Sequence, residues 1–283
     1  MDSRRLLAFD LDRTLLTDDY RLPLRIETAI REARNCGHLV TVLTGRPRAA
    51  ALPYLEQLEI DGPYSVNHGA MVYGTAGEIV RRTRLEAALV ADILTPYLAV
   101  GDLDFSCMVD DVLFVRDPGD DRWSWAHTRN RLVQRFDPAA ALDADKVVFA
   151  ADPRTEAIEQ EIQARLPDLV TYLWGDGYLE ITGADADKGG ALRLIAQMLQ
   201  VPREATVAFG DGLNDVTMVG WAGHGVAVGS YAHPEVVAEA AERIAAPEDG
   251  GVASWIERNL LTTSAEERPA DAHASVPSVK SRT

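Results

Sequence analysis

The chain has few cysteines, fewer basic than acidic residues and no long hydrophobic run. Two cysteines, Cys36 and Cys107, cannot form a disulfide framework, which indicates a reducing compartment. The 28 lysines and arginines against 44 aspartates and glutamates give a net charge of −16, which argues against nonspecific binding to nucleic acid or anionic membranes. Asp10 and Asp12 interrupt the short apolar run near the N-terminus, so it predicts neither a signal peptide nor a membrane span. We therefore expect a cytoplasmic globular protein without nucleic-acid or membrane partners.

The length of 283 residues and the order of the predicted elements indicate two domains. Up to about Arg84, short apolar strands alternate with helices, the pattern of a parallel sheet with crossover helices, and this pattern resumes at Asp187. Between them, predicted hairpins and helices, among them a helix over 123–136, indicate an α+β unit inserted into the first domain. The expected limits are 1–84 and 184–262 for the α/β domain, 85–183 for the inserted unit, and 263–283 for a disordered tail.

Four polar segments each lie next to a predicted strand, and together they would meet at one edge of the parallel sheet. The first follows the buried strand Leu6–Phe9, whose burial does not require the two carboxylates that come after it. The segments are Asp10-Leu11-Asp12-Arg13-Thr14, Thr44-Gly45-Arg46, Asp187-Lys188-Gly189-Gly190 and Gly210-Asp211-Gly212-Leu213-Asn214-Asp215. Carboxylates in one cleft suit Mg²⁺, and a lysine, a hydroxyl and backbone amides suit phosphate oxygens. Each segment alone could be a turn or a helix cap, but all four in this order favour a functional site.

In these motifs, and in the insertion between the second and the third, the chain resembles the haloacid dehalogenase superfamily. The resemblance extends to about residue 262 and is specific to Cof-type phosphatases, which carry a large α+β cap of the C2 (IIB) type. It implies a Rossmann-like core with an inserted cap, and an Mg²⁺-dependent phosphomonoesterase that forms an aspartyl-phosphate intermediate. The implied substrate is a small phosphorylated metabolite, first of all a sugar phosphate, with phosphorylated cofactors such as flavin or pyridoxal phosphate next.

The resemblance also implies roles for the motif residues of this chain. Asp10 would be the nucleophile that attacks phosphorus, and Asp12 would act as general acid and base. The residues around the phosphoryl group would be Thr44, Gly45, Arg46, Lys188 and Asn214. The Mg²⁺ ligands would be Asp10, the backbone carbonyl of Asp12, Asp211 and Asp215.

The sequence departs from the family pattern at Arg13 and Asp185, which replace glycines, and at Asn67-His68-Gly69, which replaces the commoner Asn-Gly. Arg13 and His68 could accommodate the local backbone, or they could contact the substrate from the core side. In the insertion, the side chains best suited to bind a polyol or a ring are Trp123, Trp125, His127, Trp174, Asp176 and Tyr178. The alternative is that the aromatic residues fill the core of the cap itself.

Three other functions are compatible with the same motifs. A phosphosugar mutase on this scaffold would return the phosphoryl group to another hydroxyl and release little free phosphate. A phospho-accepting signalling module also combines carboxylates, Mg²⁺, a threonine and a lysine, but it needs no inserted cap. A catalytically silent binder of sugar phosphates would not need the complete set of motif residues. The oligomeric state does not follow from the sequence.

Overall fold

The computed structural model describes residues 4–128, 131–174 and 177–261, so the tail 263–283 lies outside it. The strands are β1 (Leu6–Phe9), β2 (Leu39–Val42), β3 (Tyr64–Val66), β4 (Met71–Tyr73), β5 (Ile79–Arg82), β6 (Asp104–Val109), β7 (Val112–Val115), β8 (Val133–Arg135), β9 (Lys146–Ala150), β10 (Leu169–Trp174), β11 (Tyr178–Gly183), β12 (Thr206–Gly210), β13 (His224–Val228) and β14 (Glu242–Ile244). The helices are α1 (Leu24–Asn35), α2 (Arg48–Gln57), α3 (Ala87–Leu94), α4 (Ser124–Thr128), α5 (Thr155–Arg165), α6 (Lys188–Met198), α7 (Val216–Trp221), α8 (Pro234–Glu239) and α9 (Gly251–Ile256). None of the described helices is long and apolar enough to cross a membrane.

Five strands form a parallel sheet in the order β14-β13-β12-β1-β2, in which β1 lies between β12 and β2. The alternating side chains of β1 pack on helices on both faces of this sheet. Leu7 and Phe9 pack with α1, α2 and α9, whereas Leu6 and Ala8 pack with α6, α7 and α8. Phe9 also stacks on Phe209 of β12, with the ring centroids 4.7 Å apart. The predicted α/β class with a parallel sheet is confirmed.

A second, mostly antiparallel sheet contains the strands of the insertion in the order β10-β11-β9-β6-β7-β8. One face of this sheet packs against α3 and α5 around Phe105 and Phe149. In the turn between β6 and β7, Asp110 and Asp111 have φ of 49° and 68°, as the two central residues of a tight hairpin require. We refer to this α+β part as the inserted unit, and its limits 85–183 remain a prediction.

The structure differs from the predicted elements in three places. Instead of a helix over 123–136, the short helix α4 is followed by the strand β8, which pairs in parallel with β7. Tertiary pairing therefore outweighs the local helical pattern there. The strand β3 pairs antiparallel with the hairpin of β4 and β5 instead of joining the parallel sheet, to which the bridge between Leu43 and Ser65 connects it. The edge strand β14 is not predicted, because Glu242-Arg243-Ile244 has no apolar run.

Candidate active site

The four polar segments lie together at one edge of the parallel sheet. Asp10 follows β1, Thr44 lies just beyond β2, and Asp211 follows β12, so the order of the strands brings their loops side by side. Lys188 is the first residue of α6, which packs on the same sheet. The topology thus assembles residues from the beginning, middle and end of the chain in one cleft.

Three carboxylates and one lysine form a buried group in this cleft, termed the acidic cluster: Asp10, Asp211, Asp215 and Lys188. Lys188 Nζ donates hydrogen bonds to Asp10 Oδ1 at 2.6 Å and to Asp215 Oδ1 at 2.5 Å. Thr14 Oγ1 donates to Asp211 Oδ1 at 3.0 Å. One oxygen of each carboxylate lies within 4.8 Å of an oxygen of the other two. Within this cluster, one positive charge faces three acidic groups, each at most 7% exposed.

The carboxyl groups of the acidic cluster are buried with too little positive charge beside them, and this raises the pKa of two of them. Burial raises the pKa of Asp211 to about 7, and the neighbouring charge of Asp215 adds to the rise. Burial also raises the pKa of Asp10 well above its usual value, against the attraction of Lys188. A divalent cation would supply the missing positive charge, and carboxylate oxygens are the ligands that Mg²⁺ prefers. The donor set and the charge of the acidic cluster therefore fit a metal ion.

Asp12 lies beside the acidic cluster and is paired with Arg46. Its carboxylate accepts two hydrogen bonds from the guanidinium, one of them from Nε at 2.8 Å. The rings of Tyr20 and Tyr54 flank that guanidinium, with their centroids 5.1 and 4.9 Å from Arg46 Cζ. The structure therefore places Arg46 on Asp12, and a contact with a phosphoryl group would require Arg46 to move or to share this pair.

Of the other predicted phosphate-binding residues, Gly45 and Asn214 lie against the imidazole of His68, and Thr44 lies next to Gly45. Thr44 is fully buried, and its hydroxyl accepts a hydrogen bond from the backbone N–H of Arg46 at 3.1 Å. Gly45 leaves room for the imidazole, since a Cβ at this position would lie 2.3 Å from His68 Cε1. On the other side of the ring, Asn214 Nδ2 lies 2.9 Å from His68 Nδ1. His68 thus connects two of the motif loops, and it is fully buried rather than open to a substrate.

Arg13 is held by two protein partners. Its guanidinium lies 3.9 Å above the ring of Tyr231, and its Nε is 3.4 Å from Asp18 Oδ1. Its φ is 58°, a left-handed conformation that favours glycine. These contacts support the interpretation that Arg13 accommodates the local backbone, and they do not favour its predicted contact with the substrate.

The predicted substrate residues of the inserted unit separate into buried and accessible side chains. Trp123 is fully buried and its Nε1 donates to Asp104 Oδ2 at 2.9 Å, so it belongs to the core of the inserted unit, contrary to the prediction. Trp125 and Tyr178 pack around it, with centroids 6.4 and 6.1 Å from its ring. Trp174 is 43% exposed, and its indole lies 6.4 Å from His68. The side chain of His127 and the whole of Asp176 lie outside the described residues.

Two charged residues that the sequence analysis did not select, Glu180 and Lys146, lie close to His68. We term His68, Glu180 and Lys146 the junction cluster. Glu180 Oε1 lies 2.8 Å from His68 Nε2 and accepts a hydrogen bond from Lys146 Nζ at 2.7 Å. Both residues point away from the face of their sheet that packs on Phe149. A charged residue on an alternating strand usually faces solvent, so the sequence signal was weak: Glu180 lies inside an apolar run, and Lys146 directly precedes one.

Comparison with known proteins agrees with this fold. The family described as haloacid dehalogenase-like hydrolases matches residues 7–256. HMP-PP phosphatase from Serratia proteamaculans is 28% identical over 232 residues, which are 80% of this chain and 84% of that protein. The 5-amino-6-(5-phospho-D-ribitylamino)uracil phosphatase YitU from Bacillus subtilis is 28% identical over 267 residues, 89% of this chain and 96% of that protein. The solved structure of TM0651 from Thermotoga maritima superposes with a TM-score of 0.77 at 25% identity, covering 90% of this chain and 97% of that one.

Proposed function

Since the chain belongs to the haloacid dehalogenase-like hydrolases, we propose that it hydrolyses a small phosphomonoester through an aspartyl-phosphate intermediate, with Mg²⁺ as its cofactor. Its relatives are named as phosphatases, and this chain is a phosphatase as well. The observation that carries the finer proposal is the acidic cluster. It places a buried carboxylate at the end of β1, an interior strand of the parallel sheet, next to a lysine and two further carboxylates.

Asp10 is the nucleophile in this reaction. One of its carboxylate oxygens forms a bond to phosphorus while the bond from phosphorus to the leaving oxygen breaks, which leaves an acyl phosphate on Asp10. Water then attacks the same phosphorus, restores the carboxylate and releases inorganic phosphate. Lys188, whose Nζ lies 2.6 Å from Asp10 Oδ1, orients the nucleophile and stabilises the charge that develops on the phosphoryl oxygens.

Asp12 acts as the proton shuttle. It gives a proton to the leaving alcohol and later takes one from the attacking water. To carry that proton, its carboxyl group must give up at least one of the two hydrogen bonds from Arg46. A movement of Arg46 towards the incoming phosphoryl group would free Asp12 and provide a bidentate phosphate ligand in one step.

Asp10, Asp211 and Asp215, with the backbone carbonyl of Asp12, would hold Mg²⁺. When bound, the ion supplies positive charge close to the phosphoryl oxygens. The support for this ligand set is the excess of buried carboxylates over lysine in the acidic cluster. Thr14 and Lys188 hold the carboxylates in place by hydrogen bonds.

The proposed substrate is a phosphorylated sugar or polyol, alone or attached to a ring. One support comes from the relatives, of which two are named for a phosphorylated ribityl chain on a uracil ring. The other is the half-exposed indole of Trp174 beside His68, whose face could pack against the C–H surface of a polyol or a ring.

The test is the release of inorganic phosphate from sugar phosphates and phosphorylated cofactors, with Mg²⁺, with chelator, and with the variant Asp10→Asn. We expect metal-dependent release that falls about 10⁴-fold or more in Asp10→Asn, because the nucleophile is lost. An isomerised product without free phosphate would favour the mutase. A stable aspartyl phosphate without turnover would favour the signalling module, and binding without any reaction would favour the silent binder.

A further inference from the structure

The junction cluster lies between the inserted unit and the parallel sheet, and the proposed reaction steps do not use it. His68 comes from the loop after β3, whereas Glu180 and Lys146 come from β11 and β9 of the inserted unit. All three side chains are buried. The imidazole also stacks on Tyr172 of β10, with centroids 4.4 Å apart and an interplanar angle of 14°. A side chain from outside the inserted unit therefore packs against the sheet of the inserted unit.

The hydrogen bonds of His68 determine which of its ring nitrogens carries the proton. Glu180 Oε1 is a carboxylate oxygen that also accepts from Lys146, so His68 Nε2 must donate to it. Burial lowers the pKa of His68, although Glu180 acts in the opposite direction, and this shift favours a neutral ring whose Nδ1 is an acceptor. Nδ1 can then only accept a hydrogen bond from the amide nitrogen of Asn214, at 2.9 Å. The chain of bonds from Glu180 therefore sets the orientation of the Asn214 amide.

The same cluster also contacts the loop that contains Thr44. Lys146 Nζ donates to the backbone carbonyl of Gly45 at 3.1 Å, and the backbone N–H of His68 donates to the carbonyl of Thr44 at 3.0 Å. One ion pair of the inserted unit thus reaches both loops that are proposed to hold the phosphoryl group.

The backbone at His68 is held in a conformation that side chains seldom adopt. Asn67, His68 and Gly69 have φ of 50°, 57° and 96° in succession. Such a run of left-handed residues costs free energy that the surrounding contacts must offset. The stacked ring and its two hydrogen bonds are such contacts, and strain of this kind is concentrated at functional sites.

We propose that His68, Glu180 and Lys146 are positioning residues. They orient Asn214 and the Thr44–Gly45 loop for the phosphoryl group while the inserted unit is packed against the rest of the chain. If the inserted unit moves away, Glu180 and Lys146 move with it, and the Asn214 amide is free to turn. The inference rests on the proposed phosphatase function. It makes closure of the inserted unit a condition for productive binding of the phosphoryl group, whatever the leaving group is.

The first variant is His68→Phe, which keeps a flat ring against Tyr172 and removes both ring hydrogen bonds. We expect kcat to fall about 10- to 100-fold, by similar factors for acetyl phosphate and for a sugar phosphate. The matched control is His224→Phe, because His224 also forms a hydrogen bond to a carboxylate, Glu242, at 2.9 Å but lies in the β13 strand. The control should keep the wild-type kcat. A rise in KM without a fall in kcat, by a factor that differs between the two substrates, would overturn the proposal, since it would indicate recognition of the leaving group.

A double-mutant cycle tests whether His68 acts through Asn214. In the Asn214→Ala background, His68→Phe should lower kcat by less than about twofold further, because the residue that it positions is already absent. Losses that multiply would show two independent effects and would contradict the proposal.

Two measurements do not depend on turnover. Nitrogen-15 NMR of wild-type protein should show His68 with a protonated Nε2 and an unprotonated Nδ1, and a protonated Nδ1 would overturn the assignment. Calorimetric titration with inorganic phosphate should give about tenfold weaker binding to His68→Phe and unchanged binding to His224→Phe, and equal affinities of His68→Phe and wild type would contradict the proposal. If wild-type protein shows the NMR signature but releases no phosphate from any substrate, the proposed function fails and the hydrogen-bonded linkage stands.

Discussion

In the part of the chain that the structure describes, the acidic cluster and the junction cluster are both buried but differ in their balance of charge. In the acidic cluster three carboxylates face Lys188, and burial raises the pKa of Asp211 to about 7. In the junction cluster one carboxylate faces one lysine and a neutral imidazole. Burial alone would raise the pKa of Glu180, but Lys146 and His68 outweigh it and lower this pKa to about 2. An excess of one charge sign in a buried site indicates that a ligand or an ion completes it, whereas a balanced cluster can hold two parts of the protein together.

The largest change in stability is expected when the balance of the junction cluster is broken. Glu180→Gln should lower the free energy of unfolding by about 3 kcal/mol, because it leaves the buried ammonium of Lys146 without a negative partner. Adding Lys146→Met should recover part of the loss, since the unpaired charge is then removed. Urea unfolding of the two single variants and the double variant measures these differences. Strictly additive losses would show that the two residues do not act as a pair.

The acidic cluster is expected to respond in the opposite way. Asp211→Asn should raise the melting temperature of the metal-free protein, because it removes one of the uncompensated buried charges. Mg²⁺ at 100 times its Kd should stabilise wild-type protein by about 2.7 kcal/mol, and chelator should reverse the effect. In Asp211→Asn the stabilisation by Mg²⁺ should be much smaller, whereas Glu180→Gln should keep it. A Mg²⁺ effect that survives in Asp211→Asn but not in Glu180→Gln would reverse the comparison.

The smallest effect concerns the pH dependence of stability. The pKa of Glu180 lies below its ordinary value of 4.5, so its contribution is complete above pH 4.5 and is lost as the pH falls towards 2, by about 1 kcal/mol per pH unit. The lowered pKa of His68 acts in the same direction, because below pH 6.5 the unfolded chain takes up a proton that the folded chain does not. The charged groups that act on His68 are Glu180, Lys146 and, at longer range, Lys188.

Melting temperatures between pH 3 and pH 7 in the presence of chelator measure this dependence. Glu180→Gln should flatten the curve below pH 4.5, and His224→Phe should leave that part of the curve as it is in the wild type. Parallel curves for wild type and Glu180→Gln would exclude a stabilising ionised form of Glu180.

The parallel sheet and the acidic cluster follow from local features of the sequence. Each motif lies next to a short apolar strand, and parallel strands end at a common edge, so Asp10, Thr44 and Asp211 must meet once the sheet forms. The junction cluster does not follow in this way. Its Glu180 lies 112 positions after His68, on a different sheet, and their contact depends on how the inserted unit rests on the rest of the chain.

The errors within the inserted unit have a related cause. Trp123 is suited both to stacking on a substrate and to filling a core, and only its bond to buried Asp104 decides for the core. Similarly, the stretch 133–135 becomes a strand because β7 offers it an edge to pair with, although its composition also permits a helix. The residue type limits which contacts and which secondary structure a position can adopt, and its neighbours in the tertiary fold determine which of them forms.

The pairing of β1 with β12 has a consequence for the synthesis of the protein. Leu6 pairs with Thr206, so one edge of β1 stays open until the ribosome has added all of the chain between them. At about 5–20 residues per second, this delay amounts to roughly 10 to 40 s, during which the inserted unit emerges and can form its own sheet. Asp10 is synthesised 178 residues before Lys188, and Asp215 follows 27 residues after Lys188. The nascent chain therefore lacks the complete acidic cluster until Asp215 has been made, and a product that ends before this residue would lack the proposed metal site.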